Sequence, residues 1–300
     1  MRTAFIQELI VQARSHPDIF LVVGDLGYSV VEPFAAEFPD RFLNAGVAEQ
    51  NMTGVAAGLA SEGWHVFTYS IANFPTLRCF EQIRNDIAYH NLSVTVVSVG
   101  AGLAYGSLGY SHHAVQDIAV MRTLPELTLL SPADPGETRE SVQWLAANPR
   151  PSYLRLGKAG EANLHDVRGI SLGPILVRRG SNTTCAFVAT GSILQVALDA
   201  AAQLASEGTD VSVFSCPWLE PAGAEFFAPL AKFTRLIAIS EHFTSGGLAS
   251  LLREKLSEGL RVSSLEIPSG LSSSVGSQSF LRTQAGINAA ALIAMFKGQN

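Results

Sequence analysis

The sequence predicts an α/β protein of two doubly wound domains, the first with a mainly parallel sheet and the second smaller. Three observations carry that expectation. The continuous apolar run Ile19–Val23 reads as a strand buried on both faces, and Leu92–Val99 as a β-branched strand. These runs alternate with stretches of helical periodicity, the pattern of parallel βαβ units. The alternation fades between Gly157 and Arg179 and then restarts. A linker is therefore placed at 166–180, dividing a domain of 1–165 from one of 181–300.

From Met1 to Ile10 apolar residues stand at helical spacing, interrupted by Gln7 and Glu8, which makes an amphipathic helix rather than a secretion signal. The strand Ile19–Val23 ends in Gly24-Asp25-Leu26-Gly27-Tyr28-Ser29. Phe42 and Leu43 close a second strand, Gly46 turns the chain, and a helix runs on from Val47. In that helix Gly54, Ala57, Gly58 and Ala60 leave room for another backbone, so it is expected to be buried. A third strand, Val66–Ser70, runs into Ile71-Ala72-Asn73-Phe74-Pro75, and a helix from Thr76 to Tyr89 follows. After the strand Leu92–Val99 lies a Gly-rich loop from Gly100 to His113; loops of that length inside a domain are usually functional. Next come a helix at Ile118–Arg122, a strand at Leu127–Leu130, a helix at Pro135–Ala147 capped by Asp134, and a strand at Ser152–Leu156. In the second domain strands at Cys185–Ala189, Val211–Phe214, Leu236–Ile239 and Val262–Ile267 alternate with helices at Ser192–Ser206, Gly247–Leu256 and Thr283–Phe296.

Composition limits the classes of function. Of 300 residues 15% are charged and 47% hydrophobic, which favours a substantial subunit interface. A net charge of −6 gives no electrostatic reason to expect nucleic acid or an anionic membrane. Cys79, Cys185 and Cys216 lack metal or disulfide spacing and read as small core residues. The run that comes nearest to spanning a bilayer, Leu92 to Tyr110, is broken by glycines and serines, so a cytoplasmic protein is expected.

Arg41-Phe-Leu-Asn-Ala-Gly-Val-Ala-Glu49-Gln-Asn, taken with Phe74 and His112, resembles the C-terminal portion of the transketolase family, which includes 1-deoxy-xylulose-5-phosphate synthase and the beta subunits of 2-oxo-acid dehydrogenases. The resemblance covers nearly the whole chain. It implies a pyrimidine-binding domain followed by a transketolase C-terminal domain, with thiamine diphosphate as cofactor. It also implies that Glu49 hydrogen-bonds the ring nitrogen of the aminopyrimidine, a task suited to a desolvated carboxyl group able to share a proton. The competing reading of Glu49 is an ordinary carboxylate favoured by a helix N-terminus.

Further positions follow from the same resemblance. Phe74 matches the aromatic that stacks on the pyrimidine, within Ile71-Ala-Asn-Phe74, where transketolases commonly carry a second Phe at the place of Ile71; its alternative is core. Asp25 and Leu26 match the Asp-Leu beside the thiazolium, or are a strand-end turn. His112 falls at the substrate-facing histidine, a proton carrier or donor to a sugar oxygen. His113 is a second substrate candidate, with a solvent-facing loop histidine as its alternative. Leu108 stands where transketolases place an Asp, and Gly100 where many place another histidine, which sets this chain apart from ordinary sugar-phosphate donors. Arg2, Ser29 and Lys158 fall at positions resembling phosphate contacts.

No Gly-Asp-Gly is present to hold Mg²⁺ and the diphosphate; Gly24-Asp25-Leu26 with Asn51 imitates the spacing only. The resemblance therefore implies a split enzyme whose separate partner subunit carries the diphosphate-binding domain and Mg²⁺, assembled as an α2β2 heterotetramer. The expected activity is two-carbon ketol transfer between sugar-type substrates. The alternatives are a 2-oxo-acid decarboxylating or synthase-type subunit and a non-catalytic paralogue. A nucleotide-binding dehydrogenase lacks its GxGxxG.

Overall fold

Along β1 (Ile19–Val23), Ile19, Leu21 and Val23 join one buried apolar cluster and Phe20 and Val22 another, so this strand carries a core on each face. The computed structural model describes residues 1–166, 169, 173–256 and 259–298. β1 pairs in parallel with β2 (Phe42–Asn44) on one side and β3 (His65–Ile71) on the other. Beyond β3 lie β4 (Val94–Val99) and, past it, β5 (Thr128–Leu130) and β6 (Ser152–Leu156), all parallel. A second sheet contains β7 (Ile175–Arg178), β8 (Cys185–Thr190) and β9 (Ser212–Ser215). The next strand, β10 (Trp218–Glu220), leaves that sheet and pairs antiparallel with β5. β11 (Arg235–Phe243) and β12 (Arg261–Ile267) complete the second sheet. The orders are β10-β5-β6-β4-β3-β1-β2 and β12-β11-β8-β9-β7.

Helices cover both sheets. α1 (Arg2–Ser15), with Phe5 and Leu9, shares the cluster of Ile19, Leu21 and Val23. α2 (Glu32–Glu37) adds Phe34 to it. The opposite face receives α3 (Glu49–Ser61), α4 (Phe80–Gln82) and α5 (Asp117–Met121), while α6 (Pro135–Ala147) returns to the face of α1. Asp134 caps α6 by accepting from Glu137 N at 2.8 Å, with Pro135 at the first turn. In the second sheet α7 (Leu194–Ser206), α9 (Gln278–Gln284) and α10 (Ala289–Lys297) lie on one face and α8 (Leu248–Lys255) on the other. The α8 face shares an apolar cluster with the α3 face of the first sheet, where Val22 and Met52 join Val188, Phe214 and Leu248. Burial of that shared surface fixes one sheet against the other.

Several expectations are corrected. Within 166–180, read as linker, Ile175–Arg178 is an edge strand antiparallel to β9, while 167, 168 and 170–172 lie outside the described residues. The helix expected over Thr76–Tyr89 begins only at Phe80 and continues as a π-helix from Ile83 to Ala88. Before it, Thr76 Oγ1 donates to Ala72 O and Cys79 Sγ to Phe74 O, and Pro75 has no N–H to offer. The helix expected over Thr283–Phe296 is split at Gly286 (φ +71°), and Asn288 caps the second piece. Finally, Gly54 and Gly58 face open space, with no neighbouring atom within 4 Å of a Cβ built on either, so only Ala57 and Ala60 of that set are buried within the chain. No helix among the described residues is long and apolar enough to cross a membrane.

Candidate functional site

From β1 the chain steps outward to β2 and then back across to β3, and this reversal opens a crevice beyond the carboxyl ends of β1 and β3. Gly24 and Asp25 follow β1, Asn44 to Glu49 follow β2, Ala72 to Phe74 follow β3, and the Gly100 loop follows β4. One sheet edge thus collects candidates from four stretches of sequence.

Glu49 is the first residue of α3 and is 4% exposed. Gly24 packs alongside it: a Cβ there would meet Glu49 Cγ at 3.8 Å and Met52 Sδ at 3.5 Å, ordinary van der Waals distances. The helix N-terminus favours the carboxylate. Its charge partner is Arg78, whose Nη1 lies 2.8 Å from Glu49 Oε2. The same guanidinium lies over the Phe74 ring, 4.7 Å from its centroid. Phe74 in turn meets the His112 imidazole edge to face at 5.0 Å. Glu49, Arg78, Phe74 and His112 therefore form one contiguous chain of contacts.

Arg78 escapes a reading of the sequence, although the signal exists: a buried carboxylate needs a charge partner, and Arg78 is the first cation after Phe74. Gln50 Nε2 donates to Arg78 O at 3.2 Å, tying the start of α3 to this turn. Beside Glu49, Ser70 Oγ is buried with no hydrogen-bond partner, 3.6 Å from the position of a Gly24 Cβ.

His112 is half-buried, and burial, reinforced by the neighbouring His113, pushes its pKa below the ordinary imidazole value. Its Nδ1 lies 3.0 Å from Ser111 Oγ. A neutral ring accepting from that hydroxyl keeps Nε2–H free to donate. His113 is not solvent-facing: it is buried, with Nε2 3.3 Å from Gly106 O. Asn73 Nδ2 donates to His113 O at 2.9 Å and to Ser111 O at 3.3 Å, clamping the loop to the exit of β3.

Asp25 has φ +55°, a conformation unusual for a residue other than glycine. Asn44 holds it there, donating from Nδ2 to Asp25 Oδ1 at 2.9 Å while its Oδ1 accepts from Asp25 N and Gly46 N, both at 3.0 Å. Leu26 follows, half-buried, and Ile71 is half-buried at the end of β3. Ser29 is exposed, and its N–H donates to Glu32 Oε1 at 2.8 Å. Arg2 N donates to Lys158 O at 3.4 Å, and Lys158 lines a cleft between the two sheets with Gln278 and Arg282. Among the described residues no hydrogen bond or ion pair ties Arg2, Ser29 or Lys158 to the Glu49 group. Leu108 is 56% exposed on the loop.

A buried carboxylate, an aromatic face and a half-buried imidazole suit a flat heteroaromatic ring that presents a nitrogen to the carboxylate. The orphaned Ser70 hydroxyl fits such a guest. Among the described residues no group of three or more His, Cys, Asp or Glu is placed to hold a metal. All three cysteines are free and buried.

Comparison with known proteins follows the same division of the chain. The model of the transketolase pyrimidine-binding domain matches residues 1–160 and that of the transketolase C-terminal domain matches residues 173–289. The chain is 34% identical over 262 residues to one of the subunits of an apulose-4-phosphate transketolase from Phocaeicola vulgatus, covering 86% of this chain and 83% of that one. It is 31% identical over 266 residues to a 6-deoxy-6-sulfo-D-fructose transketolase subunit of a Clostridium species, covering 87% and 82%. Among solved structures it matches a split-gene transketolase, an inactive beta4 tetramer, with TM-score 0.87 and 32% identity over 99% of this chain and 97% of the other.

Proposed function

The chain belongs to the transketolase family, and we propose that it is the beta-type subunit of a split, thiamine-diphosphate-dependent transketolase that moves a two-carbon ketol unit between sugar-type substrates. The observation that carries this reading is the buried Glu49 carboxylate joined through Arg78 to the Phe74 ring at the β1/β3 crevice. Thiamine diphosphate, when bound, supplies the electron sink for carbon–carbon bond cleavage and formation. Glu49 holds a proton at the pyrimidine ring nitrogen, Phe74 and Ile71 wall the ring, and Asp25 and Leu26 border the thiazolium. His112 donates to a substrate oxygen from Nε2. Buried under its own loop, His113 serves the substrate by bracing that loop.

Two relatives are named for substrates with a terminal anion, a phosphate in one and a sulfonate in the other. A ketose with an anionic tail is accordingly proposed here, with Arg2, Ser29 and Lys158 as its contacts. The Mg²⁺ ion and the diphosphate are assigned to a separate partner subunit in an α2β2 assembly in the cytoplasm. In support, the solved relative made of beta chains alone is an inactive tetramer.

The test is Glu49→Gln in the complex reconstituted with the partner subunit. Turnover should vanish while size-exclusion chromatography shows unchanged assembly. Retained activity would sink the assignment.

A further inference from the structure

Between Asp25 and Ser29 the backbone turns left-handed three times, at Asp25 (φ +55°), Gly27 (φ +90°) and Ser29 (φ +62°). Only the glycine adopts that conformation freely, so the other two positions need support from outside the turn. For Asp25 the support comes from one side chain, that of Asn44. Val23 stands opposite Asn44 in the β1–β2 register, and Ala45 N donates to Val23 O at 2.9 Å, which sets Asn44 beside the exit of β1.

The Asn44 amide is itself fixed before it meets Asp25. Its Oδ1 accepts from Gly46 N at 3.0 Å, closing an Asx-turn at the bend that leads from β2 into the helix of Glu49. The same Oδ1 accepts from Asp25 N at 3.0 Å, and Nδ2 donates to Asp25 Oδ1 at 2.9 Å. Two backbone N–H groups thus decide which end of the amide is oxygen, and the other end is left as a donor. A carboxylate at position 44 could not donate, and an aliphatic side chain could do neither. One oxygen of Asp25 is thereby tied down, while among the described residues no hydrogen bond engages its Oδ2.

We propose that Asn44 is a positioning residue, which holds the Asp25 turn so that the free carboxylate oxygen bears on the cationic ring of thiamine diphosphate. The inference rests on the thiamine-diphosphate reading of the site. The two ends of that cofactor differ in charge, the aminopyrimidine being neutral and the thiazolium positive. Glu49 serves the first by a hydrogen bond, and Asp25 serves the second by its charge. Charge attraction depends on distance and on exclusion of water, so a carboxylate released from Asn44 and turned to solvent loses most of it. Asn44 acts through Asp25.

The experiment measures binding to the complex with the partner subunit by titration calorimetry in the presence of Mg²⁺. Two ligands are compared, thiamine diphosphate and 3-deazathiamine diphosphate, whose ring has the same shape without the positive charge. Asn44→Leu should weaken thiamine diphosphate about tenfold and leave the neutral analogue within about twofold of wild type. Asn44→Ser, which keeps an acceptor for Gly46 N but is too short to reach Asp25 Oδ1, should show the same split. Asp25→Asn, which tolerates the left-handed backbone and removes the charge, should reproduce it. Adding Asn44→Leu to Asp25→Asn should cost nothing further, because the two residues act as one. Equal losses on both ligands, a loss on neither, an additive loss in the double variant, or failure of both Asn44 variants to assemble would overturn the proposal and leave the thiamine reading standing. A wild-type complex that binds neither ligand would overturn that reading and this proposal together.

Discussion

Arg78 Nη1 stands 2.8 Å from Glu49 Oε2 while its guanidinium carbon lies 4.7 Å from the centroid of the Phe74 ring. One half-exposed cation thereby joins the buried carboxylate to the aromatic wall. Arg78 fixes where the carboxylate points, and it neutralises a charge that burial alone would disfavour.

Replacing Arg78 with Met leaves Glu49 buried without a partner, at a cost of about 1–3 kcal/mol to stability. Turnover of the complex should fall about 10- to 100-fold through misplacement of the carboxylate. In Glu49→Gln/Arg78→Met the buried charge is gone, so most of the stability loss should be recovered while activity stays absent. Denaturant midpoints of the four proteins in the cycle measure the coupling. Additive losses would show that the pair is not coupled.

A second buried pair governs the junction between the sheets. Arg155 Nε lies 2.7 Å from Asp117 Oδ2, which also accepts from Tyr153 Oη at 2.6 Å. Arg155 Nη2 donates to Ala114 O at 2.8 Å and to Glu241 O at 3.1 Å, so one guanidinium grips both the base of the His112 loop and the end of β11. Asp117→Ala should destabilise the chain by about 3–5 kcal/mol, the cost of stranding a buried cation. Thermal unfolding checks it, and a change below about 1 kcal/mol would refute the pair's structural weight.

The sequence made some of this legible and hid the rest for physical reasons. Ile19–Val23 announces itself because a strand covered on both faces can be apolar throughout, and Val94–Val99 because its valines and Thr95 are β-branched. Trp218–Glu220 does not, being three residues long and held by pairing to the distant Leu129 and Leu130. Ile175–Arg178 passes for linker because an edge strand is only half-buried and follows Pro174. At the site, local motifs mark Glu49, Phe74 and His112, whereas Arg78 acts on a carboxylate 29 residues earlier in the chain. Adjacent histidines 112 and 113 look alike in sequence. The 3-10 turn over Tyr110–His112 half-buries one beside Phe74 and fully buries the other.

Glu266 should make stability depend on pH. Its Oε1 accepts from Ser240 Oγ at 2.8 Å and from Ala249 N at 3.3 Å, while Oε2 is buried without a partner. Burial pushes its carboxyl up to about 7, with the hydrogen bonds from Ser240 and Ala249 opposing. The folded chain then holds this proton more tightly than the unfolded chain, whose value is near 4.5. Stability from this group is full at low pH and falls as pH rises through 7, by on the order of 3 kcal/mol. His65 acts in the opposite sense: burial holds it down to about 4, so its contribution is lost as pH falls below 6.5. The difference between wild type and Glu266→Gln isolates the first effect. The variant should gain on wild type from pH 5 to pH 8 in denaturant midpoint, and parallel profiles would refute the assignment.

The proposed separation of pyrimidine and diphosphate sites predicts how the cofactor binds. The crevice of Glu49 and Phe74 offers a carboxylate and a ring face, and no cluster of metal ligands accompanies them among the described residues. Most of the binding energy of a diphosphate comes from its charges and its metal ion, so a chain that meets only the heteroaromatic end should bind weakly. Titration calorimetry of the chain alone with thiamine diphosphate and Mg²⁺ should therefore show little heat and no dependence on Mg²⁺. Adding the partner subunit should give binding that is Mg²⁺-dependent and that weakens at least tenfold in Phe74→Ala, where the stacking wall is removed. Tight, Mg²⁺-dependent binding to the chain alone would mean that it holds both ends of the cofactor, and the division of the site between two subunits would fall.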